Sequence, residues 1–339
     1  MAALSKHVRD AVAQIRSAGT ESVLLRDKRV GAAGAQAIAA ALAGNQTLTE
    51  LSIFDSGMTG IGQVGAEALA AALEGNVTLK KLMLGGPIGD DGTRALAARV
   101  ASNRTLKMFG LYGGRLSPQS AQAFAAALAL NQGLHFLSLS CSDIGAQGAL
   151  ALAQALETNG TLHVLNLEAN DIGCEGARAL ARALETNRTL IDINLARNNI
   201  GAEGARALAT ALDTNRALVY LGLEGNNIDA GTLAQLKDRV RVNQLALTVP
   251  EWVSSVQERR VELWNNRVLP PALASRAAVL AFGGDMVPTR GWRTPGGRRL
   301  AFNCLLPLCE AALRSALERA ALAALGQAPL ADPGFHATR

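Results

Sequence analysis

Apolar positions between residues 20 and 243 alternate between two spacings. In Leu162–Leu167 they fall at Leu162, Leu165 and Leu167, and the last two alternate with Asn166 as in a half-buried strand. In Gly176–Leu184 they fall at Ala177, Leu180, Ala181 and Leu184, the spacing of one helix face. This strand-then-helix pattern recurs. Residues 162–187 read LHVLNLEANDIGCEGARALARALETN, and residues 190–215 read LIDINLARNNIGAEGARALATALDTN, in register with a period of 28. The units begin at Thr20, Leu48, Leu79, Leu106, Leu134, Leu162, Leu190 and Leu218, with spacings of 28, 31, 27, 28, 28, 28 and 28. One unit cannot bury its Leu face alone, so the pattern predicts a stack of units with a continuous core.

Two asparagine positions punctuate each unit. Asn170, Asn198 and Asn226 sit ninth, where a side-chain amide satisfies backbone groups that the turn leaves unpaired. Lys28, Ser56, Gly114 and Ser142 take that place elsewhere, which predicts a weaker ladder towards the N-terminus. The second position follows the helix, as in Thr186–Asn187, and is expected to stop it by adopting the left-handed conformation.

The motif LxxLxLxxNxIGxEGAxALAxAL, as in Leu190–Leu212, resembles the leucine-rich repeats of the ribonuclease-inhibitor-like class over about residues 20–243. The resemblance implies an α/β leucine-rich-repeat solenoid, a horseshoe with a parallel β-sheet on the concave face and helices on the convex face. Members are mostly protein-binding modules: nuclease inhibitors, activators of a small nuclear GTPase, sensor regions of innate-immune receptors and some bacterial effectors. This chain departs from the motif in an insertion around Gly60–Val64 and at Pro87, where a turn is one residue short.

The ends differ from the repeats. Residues 1–19, with Val8, Val12 and Ile15 at helical spacing, are expected to form a helix capping the first unit, and residues 20–248 to form the eight-unit repeat domain. Residues 249–339 contain no lysine and eight of the ten prolines, and residues 251–339 hold 11 Arg against 7 acidic residues. They are expected to be a helical cap or a partly disordered Arg/Pro-rich segment, with helices over Glu251–Asn266 and Ala311–Leu325 and a loop over Arg290–Arg299. Aromatics make up only 4% of the chain, against 49% hydrophobic residues dominated by Ala and Leu, which favours closely packed helices. Four cysteines without a CxxC pair read as free thiols in a reducing compartment, and no secretory leader or membrane span is expected. A cytoplasmic monomer follows, with the nucleus as the alternative location.

Positions three, five and seven of each unit point away from the helices. The third column reads Ser22, Glu50, Lys81, Met108, Phe136, Val164, Asp192, Tyr220, and the seventh reads Arg26, Phe54, Gly85, Tyr112, Ser140, Glu168, Ala196, Glu224. Of 12 aromatics in the chain, Phe54, Tyr112, Phe136 and Tyr220 fall in these columns. Displayed aromatic and Met side chains dominate binding hot spots. A partner-binding patch is therefore expected at Phe54, Met83, Met108, Tyr112, Phe136 and Tyr220. Position two adds a basic column of Lys80, Lys107, His135 and His163, of which Lys80 and Lys107 are assigned to an acidic partner. Two histidines without a nearby carboxylate or thiolate make a poor metal site. Glu168, Asp192 and Glu224 polarise the other end of the face.

No GxxxxGK[ST], HExxH or GxSxG motif occurs, and His7, His135, His163 and His336 suggest no triad. The expected function is a non-catalytic scaffold or recognition module without cofactor or metal, binding a protein on its concave face. GTPase activation, implied by the resemblance with Arg26 and Arg29 as candidates, is one alternative. Nucleic-acid or anionic-surface binding through Arg290–Arg299 and Trp292 is another.

Overall fold

A computed structural model describes residues 4–17, 19–26, 29–55 and 60–246. The chain divides into two units, Met1–Asn243 and Gln244–Arg339. The helices and the arginine-rich loop expected beyond residue 248 lie outside the described residues.

Helix α1 (Lys6–Arg16) precedes eight strand–helix pairs. They are β1 (Ser22–Arg26) with α2 (Gly31–Ala43), β2 (Glu50–Phe54) with α3 (Gly62–Gly75), and β3 (Lys81–Gly85) with α4 (Asp90–Ser102). Next come β4 (Met108–Tyr112) with α5 (Pro118–Leu130), β5 (Phe136–Ser138) with α6 (Gly145–Thr158), and β6 (Val164–Asn166) with α7 (Gly173–Thr186). The last are β7 (Asp192–Asn194) with α8 (Gly201–Thr214) and β8 (Tyr220–Gly222) with α9 (Ala230–Ala246). The strands form one parallel sheet in sequence order. This is an α/β leucine-rich-repeat solenoid.

Register is kept across every unit. Ser22, Glu50, Lys81, Met108, Phe136, Val164, Asp192 and Tyr220 align on successive strands, although two spacings differ from 28. The irregularities are absorbed outside the strands, between β2 and α3 and in the turn after β3. There the two ends flanking the long connection bond to the segment after and at the end of β3: Gly62 N donates to Pro87 O at 3.3 Å and Asp55 N to Gly85 O at 3.3 Å. A Cβ on Gly60 would meet Pro87 O at 2.6 Å, so only glycine allows that approach.

The core lies between sheet and helices, where Leu162, Leu165, Leu167, Ile172, Leu180 and Leu184 of one unit are all at most 1% exposed. A Cβ on Gly176 would stand 2.8 Å from Ala149 Cβ, so this glycine lets α7 approach α6 closely. Helix α1 contributes Val8, Ala11 and Ile15 to the same core; Val12 is only partly buried there.

Both asparagine positions form hydrogen-bond ladders, but the post-helical one works differently from its sequence expectation. Asn187 is extended (φ −68°, ψ 128°), and the other helix-ending asparagines from Asn76 to Asn215 are extended as well. No left-handed residue ends these helices. Asn187 Nδ2 donates to Leu156 O and Asn159 O of the preceding unit at 2.7 and 3.1 Å. Its Oδ1 accepts from Thr189 N and Leu190 N at 3.0 and 2.8 Å. The residue is selected because one buried amide satisfies four backbone groups across two units.

In the ninth-position ladder, Asn198 Nδ2 donates to Leu167 O at 2.8 Å, while its Oδ1 accepts from Asn170 N at 2.8 Å. Near the N-terminus Asp55 takes over this work, its Oδ2 accepting from Val30 N and Gly31 N, each at 2.9 Å. Among the described residues no helix is long and apolar enough to cross a membrane.

Candidate functional site

The sheet face opposite the helices carries the candidate residues. Alternation along β2, β3 and β4 sends Leu51 and Ile53, Leu82 and Leu84, and Phe109 and Leu111 into the core. Phe54, Met83, Met108 and Tyr112 therefore fall on the other side. Met83, Met108, Phe136 and Val164 are buried without joining the core cluster, as expected for that face.

In the seventh column Arg26, Phe54, Gly85 and Tyr112 are register partners on four consecutive strands. The Phe54 and Tyr112 rings, on strands that are not neighbours, meet with centroids 5.5 Å apart at 56°. Gly85 on the strand between makes room. A Cβ there would lie 2.8 Å from Phe54 Cδ1. On the other side Arg26 Cζ stacks 5.5 Å from the Phe54 centroid. The Tyr112 ring also lies along its own strand over Gly110, whose Cβ would stand 2.9 Å from Tyr112 Cε2, and Tyr112 Oη donates to Met83 Sδ at 3.8 Å. Burial raises the pKa of the Tyr112 hydroxyl, opposed in part by a hydrogen bond with Ser138.

The display is narrower than the sequence predicts. Phe54, Tyr112 and Tyr220 are half-buried, whereas Met83, Met108 and Phe136 are only 1%, 3% and 3% exposed. Tyr112 covers Met83. Met108, Phe136 and Val164 are register neighbours on three strands and shield one another at strand spacing, about 4.8 Å. As exposed anchors, Met83, Met108 and Phe136 are therefore corrected; they support the face from beneath. On the flanking column Lys80 is exposed and Lys107 half-buried, and the His135 and His163 rings meet edge to face with centroids 5.0 Å apart. Among the described residues no group of three or more His, Cys, Asp or Glu is placed to hold a metal ion.

Residues 114–224 match a family model described as the TMOD/LMOD leucine-rich domain. The chain is a leucine-rich-repeat protein. No curated protein matches it. Among solved structures, one described as leiomodin-1 actin-binding site 2 is 23% identical, covers 52% of this chain and 99% of its own, and has a TM-score of 0.43. The C-terminal domain of Caenorhabditis elegans tropomodulin is 18% identical, covers 50% and 98%, and has a TM-score of 0.41.

At the other end of this leucine-rich-repeat sheet the expected acidic polarity is weaker than the residue types suggest. Glu168 is offset by Arg197, with Nη1 3.6 Å from Oε1, and accepts from Asn194 Nδ2 at 3.3 Å. Asp192 is 3% exposed with no hydrogen-bond partner for Oδ2, and desolvation pushes its pKa up to about 7. It is thus only partly charged near neutrality. Glu224 alone of the three is exposed.

The sequence places Arg26 in the outward seventh column and offers it as a possible catalytic arginine, but does not show its contact with the Phe54 ring. The signal was available: a lone glycine in the seventh column, flanked one unit away on each side by Phe54 and Tyr112.

Proposed function

We propose that this leucine-rich-repeat protein is a non-catalytic recognition module, a cytoplasmic monomer whose helix-free sheet face holds a protein partner. The observation that carries this reading is the half-buried Phe54–Tyr112 pair, joined over Gly85 and braced by Arg26. Aromatic and Arg anchors that are already fixed lose little conformational entropy on binding, which is the usual character of a hot spot. The half-buried Tyr220 lies four rungs further along the face, beyond the buried Met108, Phe136 and Val164, giving a long surface suited to a macromolecule.

The test is a pull-down from native extract with the full chain and with a Phe54→Ala/Tyr112→Ala variant of unchanged circular dichroism. Purified actin is a defined bait to include, since one compared structure carries actin binding in its description. A partner retained by wild type and lost by the variant supports the reading; identical capture by both removes it.

A further inference from the structure

The first strand shows which chemistry the partner must bring. Val23 and Leu25 of β1 enter the core, so Ser22, Leu24 and Arg26 share the helix-free face. Leu24 is 60% exposed, one of four large hydrophobic residues so displayed among the described residues. Arg26, two residues on, is exposed and stacks on Phe54, yet it forms no ion pair with any described residue. An apolar side chain and a cation with no ion pair among the described residues thus stand side by side, roughly 6.6 Å apart along the strand. The register partner of Leu24 is Ser52, so nothing bulky on the next strand covers it.

Stacking changes what Arg26 recognises. With its Cζ 5.5 Å from the Phe54 centroid, the guanidinium is restrained beside the ring while its planar set of N–H donors remains available on an exposed side chain. A planar carboxylate pairs with such a fork through two parallel hydrogen bonds. Phosphate offers the same pairing, but a polyanion is held by several cations along its backbone, and Leu24 next to Arg26 supplies apolar surface instead. Neither Ser22 nor Ser52 adds charge.

We infer that the Leu24–Arg26–Phe54 corner docks an extended segment of a partner protein in which an Asp or Glu lies within two residues of a large apolar side chain. The carboxylate seats on the Arg26 fork and the apolar group on Leu24, with the Phe54 and Tyr112 rings continuing the apolar track along the face. This rests on the reading that the helix-free face binds protein and adds the sequence character of what it binds.

The test uses the full chain and a displayed library of random twelve-residue peptides, selected in parallel on wild type, Arg26→Gln, Leu24→Ser and Phe54→Ala/Tyr112→Ala. Arg26 and Leu24 are exposed, so their replacement leaves folding intact. Wild type is expected to enrich peptides with Asp or Glu within two residues of Leu, Ile, Met or Phe. Affinity for a synthesised winner should fall about tenfold on Arg26→Gln and on Leu24→Ser, the effect of losing one anchor. Winners that lack the acidic–apolar pair, or no enrichment at all, overturn the inference. Winners that bind Arg26→Gln and Leu24→Ser as tightly as wild type but lose Phe54→Ala/Tyr112→Ala overturn it while leaving the face a protein-binding one. Winners indifferent to all three variants count against both. A single-stranded oligouridylate bound through Arg26 at micromolar affinity would assign the cation to nucleic acid and also overturn it.

Discussion

Phe54 and Tyr112 touch across a strand to which neither belongs: their rings meet 5.5 Å apart because the residue between them in register is Gly85. The pair is a product of the sheet's register and exists in no single unit. A glycine is ordinarily a weak residue inside a strand; here its missing side chain joins two aromatics separated by 58 residues of sequence.

Gly85→Val should therefore part the rings, since even a Cβ would lie 2.8 Å from Phe54 Cδ1. The cost in urea denaturation is expected to be about 1–3 kcal/mol, typical of overpacking, because the clash is with a movable ring edge. Capture of the partner should be lost although the fold persists.

The helix-ending ladder predicts a larger and local effect. Asn187→Ala leaves Leu156 O, Asn159 O, Thr189 N and Leu190 N without their side-chain partner. Stability should fall by about 2–4 kcal/mol, as when buried backbone groups are left unsatisfied. Hydrogen exchange should accelerate mainly around the C-terminal end of α6 and the segment joining α7 to β7. Thr210→Ala, which removes only an exposed side-chain hydrogen bond to Arg206 O, should stay within about 0.5 kcal/mol of wild type.

Asp192 predicts a pH dependence of definite sign. Its folded pKa of about 7 lies above the ordinary carboxylate value, so the folded state holds the proton more tightly than the unfolded chain. Its contribution is fully present below about pH 4 and is lost as pH rises through about 7. The register neighbours of Asp192 are Val164 and Tyr220, neither of them a cation. Asp192→Asn should remove this fall and be more stable than wild type at pH 8, by an amount on the order of a few kcal/mol. Chemical denaturation at pH 4, 6 and 8 checks it; parallel curves for the two proteins would contradict it.

Core truncation at Leu167, fully buried between sheet and helices, should cost roughly 2–5 kcal/mol for Leu→Ala. A hydrogen-exchange map with protection lost chiefly in β5, β6, β7 and their helices is the expected pattern.

The repeat, its register and the two faces of each strand were legible in the sequence because they follow from spacing alone. Leu165 and Leu167 announce the core side as clearly as Glu168 and Asn166 announce the other. Exposure on the helix-free face was less legible, since it is decided by residues about one unit away: Tyr112 hides Met83, and Val164 and Met108 flank Phe136. The helix-ending asparagines are legible as stops, but their extended backbone and hydrogen-bonding role are not. A stop by conformation and a stop by hydrogen bonding leave the same letter in the sequence, and only the partners on the preceding unit distinguish them. The shift at Asp192 was hidden for the same cause, because desolvation is a property of the assembled rungs.

The most direct test of the central claim is site-specific photocrosslinking in native extract, with benzoylphenylalanine placed at Phe54 and, as a control, at Val77. Val77 is 66% exposed in the connection from α3 to β3, away from the helix-free face. A discrete crosslinked protein from position 54 and none from position 77 is the predicted result. Crosslinks confined to position 77, or an empty lane from position 54, would contradict a protein-binding role for the face that Phe54 and Tyr112 build.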